Sequence, residues 1–450
     1  MSTVAPPTPP AARPEAGAPL AVADGMAVER PADVSGVQTR NFVVLAAHQV
    51  LLRVGWIFKT ESIVMPAFMS HIGGGPVLLG MMPVLSRLGF SVPPLLYAQQ
   101  LKVMPRKKWS VAASTLAMAG PFALLSAAWF LGAGQGAGGP ASWMPLAFLV
   151  VYGVFFCLTG VNQLGSHALQ GKLIRPDLRG RLFTASVLAG APAAIAAAAL
   201  LLPAWLELPG GGFGWIFGAV AVAFLLAGLT VSLSVERPDN FTEESTNPWQ
   251  KFQDAWSIVR SHADARAAGI LAALISVNLM LFPHYQAIGA ERFGLGLGAM
   301  TVWVCVQNAA TAVVSLIAGP LADRCGNRAA LRFCVLGLCV APVAVLVFLA
   351  SPASVGRDLF WLVFSPLGFT PVTIRLLINY TLEIAPAEEH TRFVSAIGMC
   401  LAMPVIVGSP LVGWLLGAAG SGWVFAGGLV LLLAAAAQTC RLSEPRHASR

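Results

Sequence analysis

"GPLADRCGNRAAL", Gly319 to Leu331, sets Asp323, Arg324 and Arg328 between two apolar runs, 297–320 and 329–350. Each run is near the roughly 20 residues that carry an α-helix across the hydrocarbon of a bilayer. Charge gathered into so short a connection, with apolar sequence on both sides, reads as a turn between two membrane spans. Working outward, the same alternation gives twelve helices. In the first half they cover 42–70, 76–99, 109–131, 143–170, 181–206 and 213–234, and in the second 267–290, 297–320, 329–350, 358–383, 393–418 and 422–440. The chain is therefore expected to be an all-α integral membrane protein of twelve transmembrane helices.

Composition agrees. Of 450 residues, 56% are hydrophobic and 11% charged, with mean hydropathy +0.73, whereas a soluble domain carries about 25% charged residues. The apolar runs lack the alternation of a membrane β-strand. The net charge of +8 would suggest nucleic acid in a soluble protein, but here topology explains it. Of the 28 lysines and arginines, only Arg292 and Arg357 fall on the side opposite the N-terminus, and Arg53, Lys59, Arg87 and Arg375 fall inside spans. All the others lie on the N-terminal side. By the positive-inside rule both termini are cytoplasmic, and a multi-pass protein of the inner (cytoplasmic) membrane is expected.

Residues 1–40, rich in Pro and Ala, read as a disordered cytoplasmic tail without a signal-peptide core, and 441–450 as a second tail. Residues 235–266 join the halves. Within them Asn247 is a candidate N-cap, Pro248 opens a helix, and Trp249, Phe252, Trp256 and Val259 recur at helical spacing. Such a helix lies either on the inner membrane surface or under the protein's own bundle. The seven cysteines show no CxxC spacing, so they read as small packing residues and no metal or other cofactor is expected.

The halves echo each other. "KLIRPDLRGRLFTAS" follows the fourth span and "LEIAPAEEHTRFVSA" the tenth; Pro66 lies late in the first span and Pro283 late in the seventh. This predicts two pseudo-symmetric six-helix bundles, 41–234 and 267–440, an arrangement common among secondary transporters. On these residues a resemblance can be named. "GPLADRCGNRAAL" resembles the loop signature G-x-L-A-D-R-x-G-x-R/K-x-x-L of the major facilitator superfamily, and "RPDLRGR", Arg175 to Arg181, is similar to that superfamily's loop after span four. The resemblance covers about residues 42–440. It implies a rocker-switch transporter of small solutes, with spans one, four, seven and ten around a central cavity. It also implies a gating loop made by Gly319, Asp323, Arg324, Gly326 and Arg328. The first-half copy of the signature departs from the pattern, because Lys102 stands where the family has Asp.

An ionisable side chain at mid-depth costs about 2.5–3.5 kcal/mol on insertion scales and marks a functional site by default. Arg53, Lys59, Glu61, Arg87 and Arg375 qualify. In a continuous helix Lys59 and Glu61 point roughly 200° apart, so they are not expected to pair. The "FKTES" stretch is expected to continue the helix toward the far face. Glu61 and Arg87 lie at equal depth about the turn near Gly73–Gly75 and form a candidate pair. Aligning Pro66 with Pro283 places Glu61 over Asn278, which adds Asn278 to the substrate or coupling set. Further cavity candidates are Asn162, Gln163, His284 and Asn379, with His167, Tyr285, Gln286, Gln307, Asn308 and Tyr380 as polar neighbours.

Arg53 and Arg375, on cavity helices of opposite halves, suit an anionic substrate through bidentate contacts. The expected function is thus a secondary transporter of a small solute, an organic anion being the first candidate. Proton-coupled efflux through Glu61 and a solute sensor that does not transport are the alternatives. There is no P-loop for primary transport, and neither HExxH nor GxSxG for an intramembrane enzyme. The expected partners are a small-molecule substrate, protons as a candidate coupling ion, and the bilayer; nucleic acid is not expected, and the chain is read as a monomer.

Overall fold

In lipid every backbone N–H and C=O must find a partner within the protein, which long apolar runs achieve as helices. The computed structural model describes residues 31–132, 141–239, 248–386 and 389–444. These residues form helices and their connections, and no strand is present among them. Twelve helices are long and apolar enough to cross a membrane. Span 1 is Pro31–Phe58 continued, after a break, by Val64–His71. Spans 2 to 6 are Pro76–Val103, Lys107–Phe130, Met144–Leu173, Pro176–Leu206 and Phe213–Ser232. Spans 7 to 9 are Ala263–Phe293, Ala299–Cys325 and Asn327–Ala350. Span 10 is Ala353–Ile384, and spans 11 and 12 are His390–Ala419 and Ser421–Gln438.

The helices overrun the expected ends, because lysines and arginines extend the terminal turns while their stems cover apolar surface. Lys102 closes span 2 and Lys172 span 4. The tail expected through residue 40 is already helical from Pro31. Its last part is tied to the end of span 6: Arg40 Nη2 donates to the Leu233 carbonyl at 3.0 Å, and Asn41 exchanges two hydrogen bonds with Val235 at 2.9 and 2.8 Å. The N-cap expected at Asn247 and residues 1–30 and 445–450 lie outside the described residues.

Span 1 contains the main correction to the sequence reading. It does not run through "FKTES". The helix ends at Phe58, the chain turns through Lys59–Ile63, and helix resumes at Val64. Pro66 has no N–H to give to Ser62, and its ring crowds that carbonyl, which weakens the helical ladder at this turn. Thr60 takes over the freed backbone groups. Its carbonyl accepts from Ile63 and Met65 N–H at 3.4 and 3.1 Å, and its hydroxyl oxygen accepts from Val64 N–H at 3.2 Å. The resumed helix is then clamped by aromatic packing. Phe68 lies 4.8 to 5.6 Å, centroid to centroid, from Phe217, Phe148, Phe213 and Trp129. Such edge-on pairs contribute about 0.5–1.5 kcal/mol each beyond their area.

At the end of the molecule where span 1 begins and span 12 ends, here the terminal end, a carboxylate caps the start of span 3. Glu236, just past span 6, accepts from the N–H groups of Lys107 and Lys108 at 2.9 and 2.7 Å and pairs with Lys172 at 2.8 Å. A carboxylate there meets the positive end of the helix dipole. Asp239 beside it pairs with Lys107 and Lys172 at 2.7 and 2.9 Å, and their hydrogen bonds hold its carboxyl below the usual range. In the second half a carboxylate also approaches a helix start, without a capping hydrogen bond among the described ones. Glu444, past span 12, lies against Gly326 at the start of span 9, where φ is +88° and an added Cβ would meet the Glu444 carboxylate. Gly326, one of the five residues of the expected gating loop, is thus fixed by backbone shape as well as by space.

The connector is the helix Pro248–Ser261. Ile258 is buried with Ala265, Ala385, Phe393 and Ala396, so this helix packs under the second half, while Trp256 stays 46% exposed with Arg260 over its ring at 5.4 Å.

Candidate functional site

The six helices of each half pack mainly on one another, and the halves meet along spans 2 and 11 and along spans 5 and 8. At the end opposite the termini, the far end, backbones nearly touch. A Cβ at Gly80 would sit 2.5 Å from the Ser409 carbonyl oxygen, and one at Gly413 would meet the Pro76 carbonyl. Small residues permit this approach. Nearby, Ser62 Oγ hydrogen-bonds Gln307 Oε1 at 2.7 Å, joining the broken segment of span 1 to span 8. Below this seam lies a cavity of about 490 Å³, within the usual range for small-molecule sites. Both halves line it, and its rim toward the terminal end includes the exposed Phe183 and Arg375.

Charges sit at two levels of this cavity. Toward the far end, Lys59 is fully buried, 3.6 Å from Glu61, whose side chain keeps 24% of its exposure. The Lys59 ammonium lies over three rings, Trp56 at 3.5 Å, Phe156 at 4.3 Å and Phe155 at 4.6 Å. An aromatic box of this kind stabilises a desolvated cation. The expectation that Lys59 and Glu61 cannot pair is therefore overturned, because the 200° separation holds only where the helix is continuous. Glu61 also attracts Arg87 across the cavity. No ion pair joins them among the described bridges, and the Arg87 guanidinium lies 5.3 Å from the Phe90 ring.

Nearer the terminal end, Arg53 of span 1 and Arg375 of span 10 both line the cavity, close enough that their charges repel. Arg375 stacks over Phe183 at 4.0 Å. Among the described residues no carboxylate forms an ion pair with either.

The other candidates divide. Asn278 is buried outside the main cavity, donating to Thr370 Oγ1 at 2.7 Å within its own half, so the depth match with Glu61 does not carry it to the cavity. Asn162 is buried and donates to Thr115, Ser114 and the Val111 carbonyl at 2.6, 3.0 and 3.2 Å. It fastens span 4 to span 3. His284 is buried away from the cavity, and Gln163 and Asn379 are exposed outside its lining. Gln307 and Asn308 do line it. In the loop 319–328, expected from sequence to form a gate, Gly319, Asp323 and Arg324 are exposed and Arg328 is half-buried.

Residues that reasoning from sequence missed include Gln49, Trp56, Ser86, Ser186, Thr311 and Thr370, all on the cavity wall. Single hydroxyls in apolar runs carry little signal. Their one trace is that spans 2, 5, 8 and 10, which also line the cavity, hold them.

Comparison with known proteins fits this geometry. A family model described as Major Facilitator Superfamily matches residues 290–450. No curated protein matches the chain. Among solved structures, a mutant of the nucleoside transporter NupG aligns with TM-score 0.68 at 10% identity, covering 91% of this chain and 100% of its own. A bacterial homolog of the human lysosomal transporter Spinster, inward-facing and unoccupied, aligns with TM-score 0.58 at 13% identity over 91% and 97%. A bacterial homologue of the iron transporter ferroportin, also inward-facing, gives 0.58 at 15% over 90% and 98%. At such identities the likeness is one of fold.

Proposed function

We propose that this chain, a membrane protein with the Major Facilitator Superfamily fold, is a secondary transporter that carries a small organic anion by alternating access. One observation carries the reading: two guanidinium groups, from opposite halves, line the cavity between them with no carboxylate paired to either among the described residues. A bound anion would neutralise both and draw the halves together, so Arg53 and Arg375 are substrate ligands and the two bundles, 41–234 and 267–440, the moving parts. Arg87 adds positive charge beside Glu61, and the Lys59–Glu61 pair anchors the broken span. By the positive-inside rule the basic loops support cytoplasmic termini, and on this reading the far-end seam is the extracytoplasmic gate. The loop at Asp323, Arg324 and Arg328 is then part of the cytoplasmic one.

The seam supplies the test. Spin labels at positions 75 and 420 flank it, and pulsed distance measurements in lipid should give a short population and a longer one whose weights change when a transported anion is added. A single short distance, insensitive to every anion, would rule out alternating access through this seam.

A further inference from the structure

We infer that the transported anion is a polyhydroxylated carboxylate, a molecule with one anionic head and several hydroxyl donors along its body. The inference rests on the anion reading above and extends it from the cavity's hydrogen-bond inventory. Ser186 Oγ of span 5 donates to the Leu182 carbonyl at 2.8 Å, Thr311 Oγ1 of span 8 to the Gln307 carbonyl at 2.9 Å, and Ser86 Oγ of span 2 to the Pro83 carbonyl at 3.0 Å. A hydroxyl has one proton, and a backbone carbonyl can only accept. Each of these cavity-lining hydroxyls has therefore committed its proton to its own helix and keeps only lone pairs for a ligand.

Asn308 follows the same logic. Its amide bonds the Val304 carbonyl at 2.9 Å. Because that partner only accepts, the amide nitrogen must face it, and the orientation is fixed by chemistry. The Asn308 carbonyl oxygen is left as an acceptor, beside the amide's second N–H. Four acceptors on three spans thus surround a cavity whose charged wall is cationic. An acceptor-only ligand, such as a plain fatty acid, would satisfy the arginines and the wall's amide donors but leave these oxygens without donors, forgoing hydrogen bonds that a hydroxyl-bearing ligand makes.

The donors could be ammonium or hydroxyl groups. The charged side chains of the wall are Arg53, Arg87 and Arg375 against Glu61 alone, and Glu61 is already engaged by Lys59. An ammonium would enter a net positive field. Hydroxyls donate without that penalty, and their spread over spans 2, 5 and 8 requires more than one of them.

Matched probes separate the two levels of the argument. Purified full-length protein is compared with D-gluconate, hexanoate and sorbitol, by thermal shift and by counterflow in proteoliposomes. Gluconate should bind at least tenfold more tightly than either of the others and be the one exchanged. In Ser186→Ala/Thr311→Val protein, with its ligand-free melting temperature checked against wild type, the preference for gluconate over hexanoate should shrink severalfold while hexanoate binding stays. Hexanoate equal to gluconate would overturn the polyhydroxy inference and leave the anion reading standing. Sorbitol equal to gluconate would overturn the anion reading itself, and no response to any of the three at millimolar concentration would overturn the substrate class.

Discussion

Span 1 and span 7 carry prolines at corresponding places, yet they fold differently. Pro66 goes with a break over Lys59–Ile63, while Pro283 sits inside the unbroken helix Ala263–Phe293. A proline frees the carbonyl four residues before it and weakens the turn in both cases. What differs is the preceding sequence. Before Pro66 stand Lys59, Thr60, Glu61 and Ser62, which provide other partners: the Thr60 hydroxyl and carbonyl receive the N–H groups of the resumed helix, Glu61 reaches Lys59, and Ser62 reaches Gln307. At the matching positions before Pro283 stand Ser276, Val277, Asn278 and Leu279: Val277 has no hydroxyl to receive a restarted helix as Thr60 does, Ser276 donates back to the Ala273 carbonyl, and the Asn278 amide donates to Thr370 within its own half. The helix is kept there because every alternative would expose backbone to an apolar interior. A proline permits a break, and neighbouring polar side chains decide whether it happens.

The comparison can be attacked at its largest expected effect first. Glu61→Gln would leave the Lys59 ammonium buried with only the aromatic rings for company. Removing one partner of a buried pair costs about 3–5 kcal/mol, so the purified variant should show a clearly lowered melting temperature. Lys59→Met/Glu61→Gln should recover much of the loss. A double variant as unstable as the single one would mean the pair is not what stabilises the broken segment.

A smaller effect tests the capping role of Thr60. Thr60→Val keeps the shape and removes the oxygen that accepts from Val64 N–H, at a cost of about 1 kcal/mol. Hydrogen exchange at Val64–Phe68 should quicken in this variant while exchange in span 7 is unchanged. Unaltered exchange would show that the cap is not needed to restart the helix.

The difference between these spans also explains what could be read from sequence. The twelve helices were legible because lipid leaves the backbone no other choice and because the charges collect in connections such as 319–331. The four intramembrane cations were legible as costly exceptions, and Arg53, Arg87 and Arg375 do line the cavity. The Lys59–Glu61 pair was not. Angular arguments assume an unbroken helix, and the break depends on hydrogen bonds exchanged within five residues. Asn278 misled for the converse reason: depth along a helix says nothing about which side faces a cavity, and its amide is taken by Thr370. Ser86, Ser186 and Thr311 were invisible because a hydroxyl bonded to its own helix is cheap to bury, whether or not it faces a ligand.

The central claim is that an anion is carried between Arg53 and Arg375. Counterflow of radiolabelled organic acids in proteoliposomes tests it most directly, with wild type beside Arg53→Gln/Arg375→Gln. Wild type should exchange at least one organic acid, and the double variant should exchange it at a tenth of the rate or less, since each charged contact is worth about 1.5–3 kcal/mol. Equal exchange by both proteins, or exchange confined to uncharged solutes, would contradict the account.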